Sequence, residues 1–237
     1  MPPRPGPRST RPPSGGPLGR GRELLECAVS YALGDAMLGG AGPDGAALGG
    51  ALLGGAGPPT ARLLSLPTPC AEWDLGMLLV HVSDSIETLH EAIAAGGTDA
   101  PPGSAGPGSG LGPDPVARLR GQAAGLLGAC AAAGPADPRV VIGDRELRAS
   151  MVAVTGAIEI TVHGWDISVA CGACRPVPPG LAAILLPIAP LLVTPGTRPG
   201  LFAAPVRLPR PASPGDELVA FLGRQPRPPA APGSRSA

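Results

Sequence analysis

The sequence predicts an all-α fold, a four-helix bundle followed by a short, mostly irregular C-terminal extension. Three observations predict it. Apolar residues recur at three- and four-residue spacing in four helix-length blocks. Gly and Pro, 37 and 34 of the 237 residues, gather at the two ends and in two stretches between those blocks. Strand signals are almost absent, save Val140-Val141-Ile142-Gly143-Asp144, which reads as a short extended piece. Helices joined by such breakers bury one stripe each against one another.

Residues 1–22 read as a disordered basic arm. They hold Arg4, Arg8, Arg11, Arg20 and Arg22, no acid, and almost nothing that can be buried. The first helix is expected over 23–38, where Leu24, Leu25, Ala28, Val29, Ala32, Leu33, Ala36 and Met37 make one stripe. Gly39-Gly40 end it, and the Gly/Ala-rich stretch 39–59 is expected to be mobile. The second helix is expected over 74–94, with Asp74 as its N-cap and Leu75, Leu78, Leu79, Val82, Ile86, Leu89 and Ile93 as its apolar face. Its first two turns are apolar nearly all round, which predicts a deeply placed His81. A Gly/Pro/Ser linker over 95–113 is expected to be mobile as well.

Asp114-Pro115 is a cap followed by proline at the first helical position, and it opens a third helix over 114–132. The fourth helix, the most apolar, is expected over 147–171, with Gly172 as its stop. The helical bundle therefore spans 23–172. In the extension, 173–224, Pro187 and Pro190 limit Leu181–Val193 to short helical pieces. A last helix over 217–222 follows the cap Ser213. Residues 225–237 read as a disordered Pro/Ser/Arg tail.

Composition removes several function classes. Zero net charge argues against a general nucleic-acid binder. The longest apolar run is too short and too broken by proline to span a bilayer, so no membrane partner is expected. No secretory signal is visible, and five cysteines, an odd number, suggest a reducing cytoplasm. Every basic residue is Arg, which reads as the codon bias of a GC-rich bacterial genome.

Three residues carry the chemistry. Glu159 and His163 stand one helical turn apart and leave the same helix face. His81 lies on the second helix. A His, a Glu and a His from two packed helices would hold a divalent metal, zinc above all, with one position open to water or substrate. A carboxylate and an imidazole one turn apart also form a simple hydrogen-bonded pair, and a buried lone His is commonly a core residue. Both readings stay open on spacing alone. His90 lies about 180° around the helix from His81, so the two cannot share an ion. Asp166 is placed to bond a ligand His from behind, or to be a surface carboxylate. Trp73 and Trp165 read as packing residues or as pocket lining. Cys171-Gly172-Ala173-Cys174 is a weak redox motif without a βαβ context, and Cys70 receives no catalytic role.

Two segments in order resemble a known family. Thr68-Pro69-Cys70-Ala71-Glu72-Trp73-Asp74 with Leu78-Leu79-Val80-His81, and Glu159-Ile160-Thr161-Val162-His163-Gly164-Trp165-Asp166, resemble the DinB-like metal-binding family. The closest branch is the mycothiol-dependent maleylpyruvate isomerase type and its actinobacterial relatives. Gly200-Leu201-Phe202 and Asp216 to Arg224 look like its closing segment, so the resemblance covers roughly residues 23–225. It implies His81, Glu159 and His163 as metal ligands, zinc as the usual metal, and mycothiol, a low-molecular-weight thiol, as cosubstrate. It also implies a small-molecule electrophile as the other partner. The segment after 172 is shorter than the second domain of the isomerase proper, which leaves the substrate and the oligomeric state open. The leading expectation is a metal- and mycothiol-dependent isomerase or thiol transferase. The alternatives are a non-catalytic, regulatory metal-binding module and a metal-dependent hydrolase.

Overall fold

The computed structural model describes residues 16–33, 62–70, 73–99, 112, 114–173, 175–199 and 202–226. Helix α1 is Pro17–Leu33, α2 Leu75–Ala95, α3 Pro115–Ala132 and α4 Ala149–Ala170. The extension adds α5 (Pro179–Leu185), α6 (Ala189–Leu192) and α7 (Pro214–Phe221). Strands β1 (Gly97–Thr98), β2 (Arg139–Ile142) and β3 (Arg145–Arg148) form one sheet in that order.

The caps explain where the helices start. The Asp74 side chain accepts from Met77 N at 2.8 Å, and Asp114 accepts from Ala117 N at 2.9 Å. Each satisfies an orphan donor of the first turn, worth about 1 kcal/mol. Gly96, with φ 80°, closes α2 in the left-handed region. Helix α4 has no such cap of its own, since Arg148 makes no capping bond. Asp137 serves instead from the preceding loop: its carboxylate accepts from Ser150 N at 2.8 Å and Ser150 Oγ at 3.0 Å.

Helix α1 packs along α4, α4 against α2, α2 against α3, and α3 back against α1. Leu25, Leu78, Ile86, Leu126 and Val152 are fully buried between them. Gly156 and Gly164 let α4 approach closely: a Cβ at Gly164 would lie 2.6 Å from the Cβ of Ala32.

The described residues are mostly helical, so the all-α class broadly fits, with a small three-stranded sheet added to the helices. Several finer expectations need correction. The extended piece at 140–142 is β2, and its partner β3 takes residues assigned by pattern to the fourth helix. Val140 pairs with Leu147 and Val141 with Glu146, so α4 starts only at Ala149. The first residues of the expected 95–113 linker form β1, parallel to β2, with Val141 N donating to Gly96 O at 3.1 Å. Helix α1 begins at Pro17 instead of Glu23, since Leu18 and Gly21 continue its buried stripe. Residues 17–22 are therefore helix and not part of an arm. Residues 34–38, the stretch 39–59, most of 100–113 and both chain ends lie outside the described residues.

The extension is short helices joined by irregular chain, in line with its prolines. It is nonetheless bound to the body. Tyr31 Oη donates to Arg175 O at 3.0 Å, and the Arg175 guanidinium lies 5.3 Å over the Tyr31 ring. Leu181, Leu185, Leu218 and Leu222 are buried. The Ser213 side chain accepts from Asp216 N at 3.1 Å and starts α7. Among the described residues, no helix is long and apolar enough to cross a membrane.

Candidate metal centre

Helix α2 presents His81 and helix α4 presents Glu159 and His163. The four-residue spacing on α4 puts its two side chains on one face, as the helical repeat requires. Glu159 Oε2 lies 3.2 Å from His163 Nε2 and 3.8 Å from His81 Nε2. One donor atom from each residue falls within 4.8 Å of the others. The two imidazoles meet edge to face, with centroids 4.9 Å apart and planes at 81°.

The cluster is graded from wet to dry. The side chains of His81 and Glu159 are 22% and 26% exposed, while His163 is 6% exposed and Asp166 is sealed. His81 is thus not deep in the protein, despite its apolar neighbours in sequence. It looks across at α4 from a face open to solvent. Trp73 covers it: the indole and His81 centroids are 4.6 Å apart, and those of Trp73 and His163 6.2 Å. Of the two readings for the tryptophans, Trp73 borders this cluster, while Trp165 is core. His90 stands apart from the cluster, beside Gly125 of α3.

Behind His163 lies a second layer. Asp166 Oδ2 is 3.1 Å from His163 Nδ1. Arg224, reaching in from beyond α7, donates from Nη2 to Asp166 Oδ2 at 2.8 Å and from Nε to Oδ1 at 3.2 Å. The same Nη2 stands 3.1 Å from Cys70 Sγ, and the Cys70 thiol donates to Asp166 Oδ2 at 3.4 Å. A carboxylate tied to a guanidinium is an acceptor only. His163 therefore donates from Nδ1 to Asp166, and its Nε2 turns toward Glu159.

The charges follow from these contacts. Burial pushes the Glu159 carboxyl up, but bonds with His163 and His81 outweigh it and hold it below the usual carboxylate range. Burial disfavours a charged His163, yet its bonds with Asp166, Cys70 and Glu159 leave it more easily protonated than a free imidazole. Burial likewise raises Asp166, while the bond from His163 and the Arg224 charge bring it down overall.

Two donor groups could in principle hold a cation: His81, Glu159 and His163, or Cys70, His163 and Asp166. The second already contains a cation, the Arg224 guanidinium, within bonding distance of two of its three members. Only the first offers nitrogen and oxygen donors, partly exposed at His81 and Glu159, with no positive side chain among them. Ligand atoms of a tetrahedral zinc site sit about 3.4 Å apart, given bonds of about 2.1 Å. The 3.2 and 3.8 Å separations bracket that value.

Arg224 is the residue that sequence reasoning passed over. It was visible only as the last residue of the closing segment. Cys70 received no role from its motif and stands in this second layer. Of the C-x-x-C pair, Cys174 lies outside the described residues. Burial pushes the Cys171 thiol up to about 11, which leaves it protonated at neutral pH.

Comparison with known proteins places these features in a family. Residues 46–168, just over half of the chain, match the mycothiol maleylpyruvate isomerase N-terminal domain. Two uncharacterized proteins of Mycobacterium tuberculosis, from strains CDC 1551 / Oshkosh and ATCC 25618 / H37Rv, are each 30% identical over 161 residues. That aligned stretch covers 67% of this chain and 83% of each relative. No solved structure matches the chain significantly.

Proposed function

The chain belongs to the mycothiol maleylpyruvate isomerase N-terminal domain family, and from that premise we propose that it binds one divalent metal through His81, Glu159 and His163. The reading includes the family's DinB-like four-helix arrangement, with zinc as the resident metal and a low-molecular-weight thiol, mycothiol, as cosubstrate. The activity we infer is isomerisation of a small conjugated electrophile, or transfer of the thiol to it, in a reducing cytoplasm. The single observation that carries this reading is the convergence of two imidazoles and one carboxylate from two helices, partly exposed at His81 and Glu159.

The donor set suits zinc or a similar borderline cation, and three protein ligands leave a position for an incoming group. When bound, the cation supplies Lewis acidity that favours the thiolate form of an external thiol near neutral pH. The protein's own residues do the rest. Asp166 accepts the Nδ1 proton of His163 and keeps Nε2 turned toward Glu159 and the other two donors. Trp73 shields both imidazoles on one flank. The partly exposed edges of His81 and Glu159 leave the approach for the electrophile.

In isomerisation, the thiolate sulfur bonds to one carbon of the double bond, the carbon skeleton rotates, and elimination breaks that same bond and returns the thiol. In transfer, the new carbon–sulfur bond stays and a leaving group departs with its electron pair. Neither route changes a metal oxidation state.

The test is metal and thiol binding on purified protein. One equivalent of zinc, and mycothiol binding that requires the zinc, are expected. Protein that takes up zinc but neither binds mycothiol nor accelerates any thiol reaction would overturn the enzymatic reading and leave a metal-binding module.

A further inference from the structure

The residues least explained by the site's chemistry are those behind it. Asp166 and Arg224 are both buried, at 0% and 6% side-chain exposure, and come from segments 58 residues apart. The chain is built to deliver that guanidinium. After α7 it turns at Gly223, whose φ of 87° is left-handed and whose added Cβ would lie 2.7 Å from Ala203 O. The turn points Arg224 inward, where Arg224 Nη1 donates to Leu222 O at 2.8 Å and the guanidinium lies 5.8 Å over the Phe202 ring. Every guanidinium nitrogen is then committed: Nη1 to its own backbone, Nε to Asp166, Nη2 to Asp166 and Cys70. A side chain so fully used is not an anchor for an incoming molecule.

We propose that Arg224 is a positioning residue for the metal centre. Its guanidinium holds the Asp166 carboxylate in the orientation that fixes His163, and through it the C-terminal segment sets the affinity of the site for a divalent cation. This rests on the reading of His81, Glu159 and His163 as ligands. The physical argument is one of buried charge and geometry. Asp166 has five contacts, one to His163 Nδ1, three to the Arg224 fork and one to Cys70. Without the fork, a sealed carboxylate loses its guanidinium partner, the only positive side chain besides His163 bonded to it among the described residues, and is free to turn from the ring. The ring then loses the acceptor that fixes its tautomer. Loss of such an outer partner weakens a metal site by roughly tenfold to hundredfold. Lysine restores charge but not the planar two-nitrogen fork.

Zinc affinity, measured by competition with a chromophoric chelator on the full chain, tests the idea, with melting temperature and far-UV spectra recorded for each variant. Arg224→Ala is expected to bind zinc roughly tenfold to hundredfold more weakly than wild type, and Arg224→Lys to recover only part of that loss. Asp166→Asn should also weaken binding. The decisive variant combines Asp166→Asn with Arg224→Ala. If Arg224 acts through Asp166, the double variant binds no more weakly than Asp166→Asn alone. Should Arg224→Ala fail to fold, Arg224→Gln alone and with Asp166→Asn carry the same comparison, since a neutral hydrogen-bonded pair replaces the ion pair. Wild-type affinity in the Arg224 variants, or losses that multiply in the double variant, would overturn the proposal while leaving the ligand assignment standing. Wild-type protein that takes up no zinc would overturn the ligand assignment, and this proposal with it.

Discussion

The indole of Trp73 lies against the imidazole of His81, with centroids 4.6 Å apart and planes at 46°. Trp73 stands just before the capping Asp74 and His81 two turns into α2, so the chain folds an aromatic lid back over its own helix. Trp165 is the second tryptophan and is core.

Contact with both imidazoles makes Trp73 a reporter. Binding of a paramagnetic Co²⁺ ion at the His81 cluster should quench tryptophan emission, and Trp73→Phe should remove most of the quenching. Quenching of equal size in Trp73→Phe would place the ion elsewhere.

The proposed ligand set predicts a pattern. His81→Ala, Glu159→Ala and His163→Ala should each lower bound zinc from one equivalent to background, measured by elemental analysis after dialysis. His90→Ala should keep the wild-type content, since His90 packs beside Gly125 and faces away from the cluster. Stoichiometric zinc in all three ligand variants would sink the assignment.

Close packing of α4 on α1 predicts a stability effect next to the site. Gly164→Ala adds a Cβ 2.6 Å from Ala32 Cβ and 3.0 Å from Ala32 Cα, so the helices must part. Overpacking of this kind costs about 1–3 kcal/mol. Urea unfolding of the two proteins reads the difference. Unchanged stability would show that α1 can shift freely.

Thiol reactivity separates the C-x-x-C from the chemistry. Burial raises the Cys171 thiol to about 11. Alkylation at Cys171 should therefore be slow at pH 7 and rise about tenfold per pH unit toward that value, because only thiolate reacts. The same shift means that ionisation opposes folding. Its contribution is fully present below the unfolded thiol value of about 8.5 and is lost as pH climbs toward 11. Peptide mapping after a timed pulse measures the rate. Rapid labelling at pH 7 would reopen a redox role.

The helical part of the fold was legible where a local cap coincided with a stripe. Asp74 and Asp114-Pro115 each mark a helix start to within a residue or two, whereas the helix expected over 217–222 already begins at Pro214, directly after its cap Ser213. That Glu159 and His163 share one face of α4 was legible for the same reason, since that geometry is local to one turn. What failed was non-local. Glu146 and Leu147 carry no sign that they pair across Gly143 with Val141 and Val140 instead of opening a helix. Leu18 looked isolated in a basic arm because its packing partners lie elsewhere in the chain. The run around His81 reads as buried on every side, and only the path of α4 shows which side is open. Arg224 was the least legible of all. Its role depends on a left-handed glycine, on the fold of the extension and on a carboxylate 58 residues earlier.

The small sheet has a bearing on the site that its size conceals. Strand β1 follows directly on α2, which carries His81, and β3 runs straight into α4, which carries Glu159 and His163. Gly97 opposite Val141 and Val140 opposite Leu147 therefore set how far one helix is slid along the other. One residue of strand is about 3.3 Å. A single-step slip in that pairing would carry His81 past Glu159 by a distance comparable to their whole 3.8 Å separation. The strand pairing thus works like a vernier beside the direct packing of the helices, adding a second constraint on the offset at which the three donors meet.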